Sequence, residues 1–138
     1  MTAPVLLRIL AVVAFLQFAG HGTMFVRARP KHGPDEVAVV DAMRSHAFPF
    51  ASAPRSYWQM YFGYGLEAAF VCLVEAVLFW QLAAIGVRDA TLIRPVAVLF
   101  AVANGAHFVM LAHYFAFPLP MAFDAIIAVG LLAAAAVA

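Results

Sequence analysis

Four runs of apolar side chains, each long enough to cross a bilayer as a helix, leave this chain few folds to choose from. They cover about Pro4 to Val26, Tyr57 to Ile85, Leu92 to Phe115 and Met121 to Ala138. A helix rises ~1.5 Å per residue, so spanning ~30 Å of hydrocarbon takes ~17–25 residues. Composition closes off the soluble alternatives: 67% of the residues are hydrophobic and 11% charged. Soluble domains carry about 25% charged residues, and a fold of 138 residues has no interior large enough for so much apolar surface. The expected fold is all-α, an integral membrane four-helix bundle in one domain over residues 1–138. A net charge of +1 offers no electrostatic footprint for nucleic acid. Cys72 is the sole cysteine and lies inside a span, so neither a disulfide frame nor a thiol metal motif is expected.

Arg8 ahead of an apolar run raises the question of a cleaved signal segment. Gln17 and His21 interrupt such a run, and no small-x-small site follows it. A retained first span is the expectation. The second span is the best calibrated, because Trp58 and Trp80 stand 22 residues apart. That is ~33 Å along a helix, one indole for each interface.

The connections differ in kind. Gly86 to Thr91 is short, which makes spans two and three antiparallel neighbours. Phe117-Pro-Leu-Pro120 reads as a tight, helix-breaking turn before span four. Between spans one and two lies a long stretch, residues 27–56. Within it Gly33-Pro34-Asp35-Glu36 has the proline and early acids of a helix start. Val37, Val40 and Met43 follow on one face, so a short amphipathic interfacial helix is expected over about Pro34 to His46. Phe48-Pro49-Phe50 could plug the mouth of the bundle, although an interfacial helix with no gating role is the favoured expectation. The long loop carries Arg27, Arg29, Lys31, Arg44 and Arg55, against Arg8, Arg88 and Arg94 on the other side. The positive-inside rule then puts the loop in the cytoplasm.

Ionisable groups within the spans are the only hint of chemistry, because a charge in hydrocarbon needs a partner, a proton or a water pocket. Counting from the middle of each span, His21 lies ~9 Å, Glu67 ~6 Å, His107 ~5 Å and Asp124 ~8 Å towards the long loop, with Asn104 near the middle. Every span contributes, and the groups are expected to face inward and meet. Gln17 and His21 share a helical stripe, as do Asn104 and His107. Gly63 leaves a notch one turn before Glu67. Glu75 lies two turns further on, within reach of Asn104 or Gln81.

One reading makes Glu67 and His107 an acid–base pair, with Asn104 orienting and His21 assisting. Asp124, Glu75, Tyr61, Tyr64 and Phe108 would then surround an apolar, lipid-like ligand such as a sterol or quinone. A second reading gives the same groups only a packing role, in an accessory subunit of a membrane complex or in a homo-oligomer. A third has them bind a metal, or has His21 with His107 or His113 ligate a haem; no metal-ligand spacing motif is present. Membrane lipids are the one partner that composition itself requires, and no cofactor is specified.

Gly20-His21-Gly22-Thr23 at the end of the first span resembles a Gly-His-Thr motif, here with Gly22 inserted. Tyr57-Trp58-Gln59-Met60-Tyr61-Phe62-Gly63-Tyr64-Gly65 resembles a Tyr-Trp-x-x-Tyr-x-Gly-x-Gly motif. Together with Val39-Val40-Asp41-Ala42-Met43, these are similar to a group of short bacterial four-span membrane proteins. That resemblance covers most of the chain. It implies the fold and a bacterial inner membrane, and brings no activity with it. A looser likeness, in span number and size, is to DoxX-like proteins. Another is to four-span sterol-isomerase-type proteins, which also place acids and histidines in a bundle pocket. Neither transfers a catalytic residue.

Overall fold

Prolines open two of the helices, at Pro34 and Pro118, and a glycine, Gly86, closes another. The structure, a computed structural model, describes residues 1–138. Helix α1 runs Ala3–Val26, α2 Pro34–Ser45, α3 Tyr57–Gly86, α4 Arg94–Tyr114 and α5 Pro118–Ala136. A single turn of 3-10 helix, Ala90–Ile93, leads into α4. Strands β1 (Ala47–Phe50) and β2 (Ala53–Ser56) stand between α2 and α3. Four helical segments are long and apolar enough to cross a membrane: Ala3–Val26, Tyr57–Gly86, Ala90–Tyr114 and Pro118–Ala136. The chain is an all-α, four-span integral membrane protein with a short helix between its first two spans.

The short helix starts on Pro34 as the sequence predicts, because a first-turn N–H has no intrahelical partner to lose. No residue of α2 is buried, as suits a helix lying at an interface. Ahead of it, one Glu36 carboxylate oxygen accepts the backbone N–H groups of Lys31 and His32 and approaches His32 Nδ1 at 3.1 Å. Those bonds, the His32 N–H first, hold the Glu36 carboxyl below its usual 4.5.

Two connections differ from expectation. Phe117–Pro120 is not a turn; Pro118 opens α5 instead, with Phe117 extended ahead of it. Pro118 and Pro120 both fall in the first turn, where a missing N–H removes no helix bond. The reversal is made just upstream, where Ala116 takes a left-handed φ of 47°. The Phe48-Pro49-Phe50 segment is not a loop either. It forms β1 of an antiparallel hairpin, with Phe48 opposite Arg55 and Pro49 opposite Pro54. Neither proline can donate, which a lone two-stranded ribbon tolerates. Ala51 at the tip has φ 49°. The hairpin ends directly in a reciprocal cap. Gln59 N–H donates to Ser56 Oγ at 3.2 Å, while Ser56 N–H donates to Gln59 Oε1 at 2.9 Å, and α3 starts there.

The chain divides into two compact units, Met1–Phe18 with Cys72–Ala138, and Ala19–Val71. The first is a four-helix bundle. Its core takes Leu7, Leu10 and Ala14 from α1, Phe79 and Ala83 from α3, Ala97 and Ala101 from α4, and Ile127, Leu131 and Ala134 from α5. The alanines let backbones approach, which matters in a bilayer where packing rather than water exclusion drives helix association. Gly130 serves the same end: a Cβ there would lie 2.6 Å from Leu10 Cδ2. Phe79 meets Phe100 edge to face at 5.7 Å. The most extensive helix pairing is α4 with α5.

The second unit packs by aromatic rings. Phe25 lies 5.0 Å from His21 and 5.5 Å from Tyr61, and Trp58 is 5.7 Å from Tyr61. Phe48 of the hairpin meets Tyr57 at 4.7 Å. The Arg44 guanidinium of α2 sits 4.6 Å over the Trp58 ring, a cation–π contact. Gly65 is required here, because a side chain would overlap the Phe25 ring.

Candidate functional site

Within the first unit each spanning helix brings one polar side chain or more to a shared set of hydrogen bonds. Asp124 of α5 is 1% exposed and stands at the centre. Its Oδ1 accepts from Gln17 Nε2 of α1 at 3.0 Å. Its Oδ2 lies 2.8 Å from His107 Nδ1 of α4, within ion-pair distance. Asn104 of α4, buried, donates through Nδ2 to Glu75 Oε1 of α3 at 3.0 Å and to the Phe100 carbonyl at 3.0 Å. Asn104 and His107 are three residues apart, ~4.5 Å along the helix, so both pairs hang from one turn of α4. A buried carboxylate is held only where partners replace its lost water; Asp124 has a hydrogen bond on Oδ1 and an imidazole nitrogen at ion-pair distance from Oδ2.

The partners are not equally enclosed. Gln17 is buried and its Oε1 has no donor. The His107 side chain is 48% exposed, so its ring reaches from a buried carboxylate to the surface of the unit. Asp124 stands against Nδ1, on the buried side of a ring whose side chain is half open. A buried Asp orienting a partly open imidazole is a geometry suited to acid–base work. The arrangement was legible in part. Asp124, His107, Asn104 and Glu75 all belong to the candidate site read from the sequence, and the Asn104–Glu75 contact is one of the two that spacing allowed. Gln17 was recognised only as sharing a stripe with His21. The signal for a larger role was an amide inside an otherwise apolar helix.

The other candidates belong to the second unit, except Phe108 and His113. His21 is half-buried beside Phe25. Glu67 is exposed on α3, and so is Gly63 one turn earlier, with open space where a Cβ would stand. Tyr61 and Tyr64 are 49% and 63% exposed. Phe108, in the first unit, is half-buried on α4 next to His107. His113 sits edge-on to Tyr114 at 4.6 Å, and His46 lies over Tyr57 at 6.0 Å. No three or more His, Cys, Asp or Glu side chains are grouped so as to hold a metal ion. Comparison with protein-family models, with curated proteins and with solved structures finds no match.

Proposed function

We propose that the protein binds an apolar, lipid-like molecule bearing a polar oxygen and acts on it by acid–base chemistry, with His107 as the group that meets it. One observation carries this reading: a half-exposed imidazole whose Nδ1 lies 2.8 Å from a carboxylate that is itself 1% exposed. Packing alone does not ask for a histidine in that position. Apolar side chains would satisfy the surface of a spanning helix at no desolvation cost. A sterol or a quinone has the required character, a hydrocarbon body with a hydroxyl or carbonyl that one imidazole nitrogen can bond. Asp124 faces Nδ1 of the ring, Gln17 fixes Asp124, and Asn104 with Glu75 braces the same turn of α4. The site we infer lies in a bacterial inner membrane, on the strength of the Gly20–Thr23 and Tyr57–Gly65 motifs.

The test is native mass spectrometry of protein extracted gently from its own membrane, wild type beside His107→Gln. We expect an apolar compound retained by the wild type and lost from the variant, with thermal stability nearly unchanged. Equal retention by both, or none by either, would sink the reading. A second reading, an accessory or oligomeric subunit whose polar residues only fix helix register, draws on the internal Gln17–Asp124 and Asn104–Glu75 bonds. Its mark is a partner chain that co-purifies with the wild type and with His107→Gln alike.

A further inference from the structure

On the first unit an open apolar groove runs between α1 and α3, and none of the polar residues just described lines it. One hollow of about 470 Å³ is lined by Ala11, Val12, Phe15, Ala76, Val77 and Trp80, among others. A second, of about 460 Å³, adjoins it through Val12 and Trp80 and extends to Val5 and Arg8. From Val5 to Phe15 the groove follows ~15 Å of helix. Val12, Phe15, Val77 and Trp80 are each about half exposed within it.

Arg8 gives the groove a polar end. It lies five residues into α1, its guanidinium 5.8 Å from the centre of the Trp80 ring, and no carboxylate pairs with it. The helix ends are level there: Pro4 of α1 lies 3.5 Å from where a Cβ of Gly86 would stand, at the end of α3. Arg88 stands two residues after Gly86, and Arg94 opens α4 and donates to the Ala135 carbonyl of α5 and to the Ala138 backbone oxygen just beyond that helix. The one acid on this side, Asp89, is occupied by Thr91. A long cation near a helix end extends towards the headgroup layer and keeps its stem on apolar surface. A guanidinium there matches a phosphate through two parallel N–H donors.

We propose that this groove holds an acyl chain of an anionic phospholipid whose phosphate is gripped by Arg8 beside Trp80. A wholly apolar occupant would leave the guanidinium without a counter-charge, and a zwitterionic lipid would bring a second cation into an end already rich in arginine. The anionic headgroup is the one that complements it.

Trp80 is a reporter built into the site. With Trp58→Phe as background, Trp80 is the sole indole, and its fluorescence can be read in bilayers containing lipid with brominated acyl chains. We expect brominated phosphatidylglycerol to quench Trp80 at about one-fifth the mole fraction that brominated phosphatidylcholine requires. That corresponds to one arginine near the membrane surface. Arg8→Gln should abolish the preference. Arg8→Lys, which keeps the charge and loses the fork, should leave an intermediate one and guards against a folding defect in the glutamine variant. Equal quenching by the two lipids in the background protein overturns the proposal, and so does a preference that survives Arg8→Gln.

Discussion

In the first unit the polar side chains of the spanning helices are matched to one another: Gln17 and His107 to Asp124, Asn104 to Glu75. In the second, rings and caps hold the structure, and Glu67 stands exposed on its helix. The difference is one of burial. Where a helix is enclosed on several sides, a polar group must find a protein partner or destabilise the fold. Where it is flanked by a hairpin and an interfacial helix, aromatic stacking supplies the contacts and no internal pairing is forced.

The contrast is sharpest between the two carboxylates. Asp124→Ala strips Gln17 of its acceptor and His107 of its carboxylate neighbour, and we expect a loss of about 2–4 kcal/mol. Glu67→Ala should stay within ~0.5 kcal/mol, as for other exposed positions. Unfolding titrations in mixed micelles read both, and similar losses would break the comparison. A smaller effect tests the ring packing of the second unit. Gly65→Ala must push Phe25 off Tyr61, at about 1–3 kcal/mol, whereas Gly63→Ala meets nothing and should gain up to ~1 kcal/mol in helix propensity. Melting temperatures and near-ultraviolet dichroism of the two variants distinguish these outcomes.

Smaller again is the Asn104–Glu75 bond. Asn104→Ala should lose about 0.6–1.7 kcal/mol, the range of interhelical hydrogen bonds in bilayers. Glu75→Gln, which keeps an acceptor, should lose less. The smallest effect is a pH dependence confined to the second unit. Glu36 has its carboxyl held below 4.5, so its stabilisation is complete above that value and drains away as the pH falls through the lowered one. Amide exchange at Lys31 and His32 should therefore be pH-insensitive, apart from intrinsic chemistry, down to about 4.5 and lose protection below it. Glu36→Gln should abolish that transition. Protection lost already near neutrality would contradict the assignment.

How far the sequence spoke for itself also differs between the units. The four spans follow from the length of their apolar runs, and α2 from Pro34 with Asp35 and Glu36 behind it. Asn104 and Glu75 could be matched because depth along a helix is simple arithmetic. Rotation is not: all four spans are apolar nearly all round, so nothing in the pattern said that His107 would sit half in the open while Asp124 is enclosed. The hairpin escaped because Pro49 and Pro54 argue against strands, and only their facing each other on a two-stranded ribbon makes them acceptable. Pro118 misled for a related reason. The same missing N–H that breaks a helix interior is harmless at its first position, and the sequence does not say which of the two a proline occupies.

The reversal at Ala116 has a consequence for how the protein enters its membrane. It joins α4 to α5 with only Phe115, Ala116 and Phe117 between them, and those two helices carry His107 and Asp124. Threaded singly, α5 would take a naked carboxylate into hydrocarbon, at about 2.5–3.5 kcal/mol on the insertion scale. Threaded together as a closed helical hairpin, the pair arrives with that carboxylate already beside an imidazole. Biogenesis is then favoured by a connection too short for α5 to partition before α4 is beside it. Lengthening that connection with a flexible linker should lower the fraction of chains that insert, even where the finished structure is just as stable.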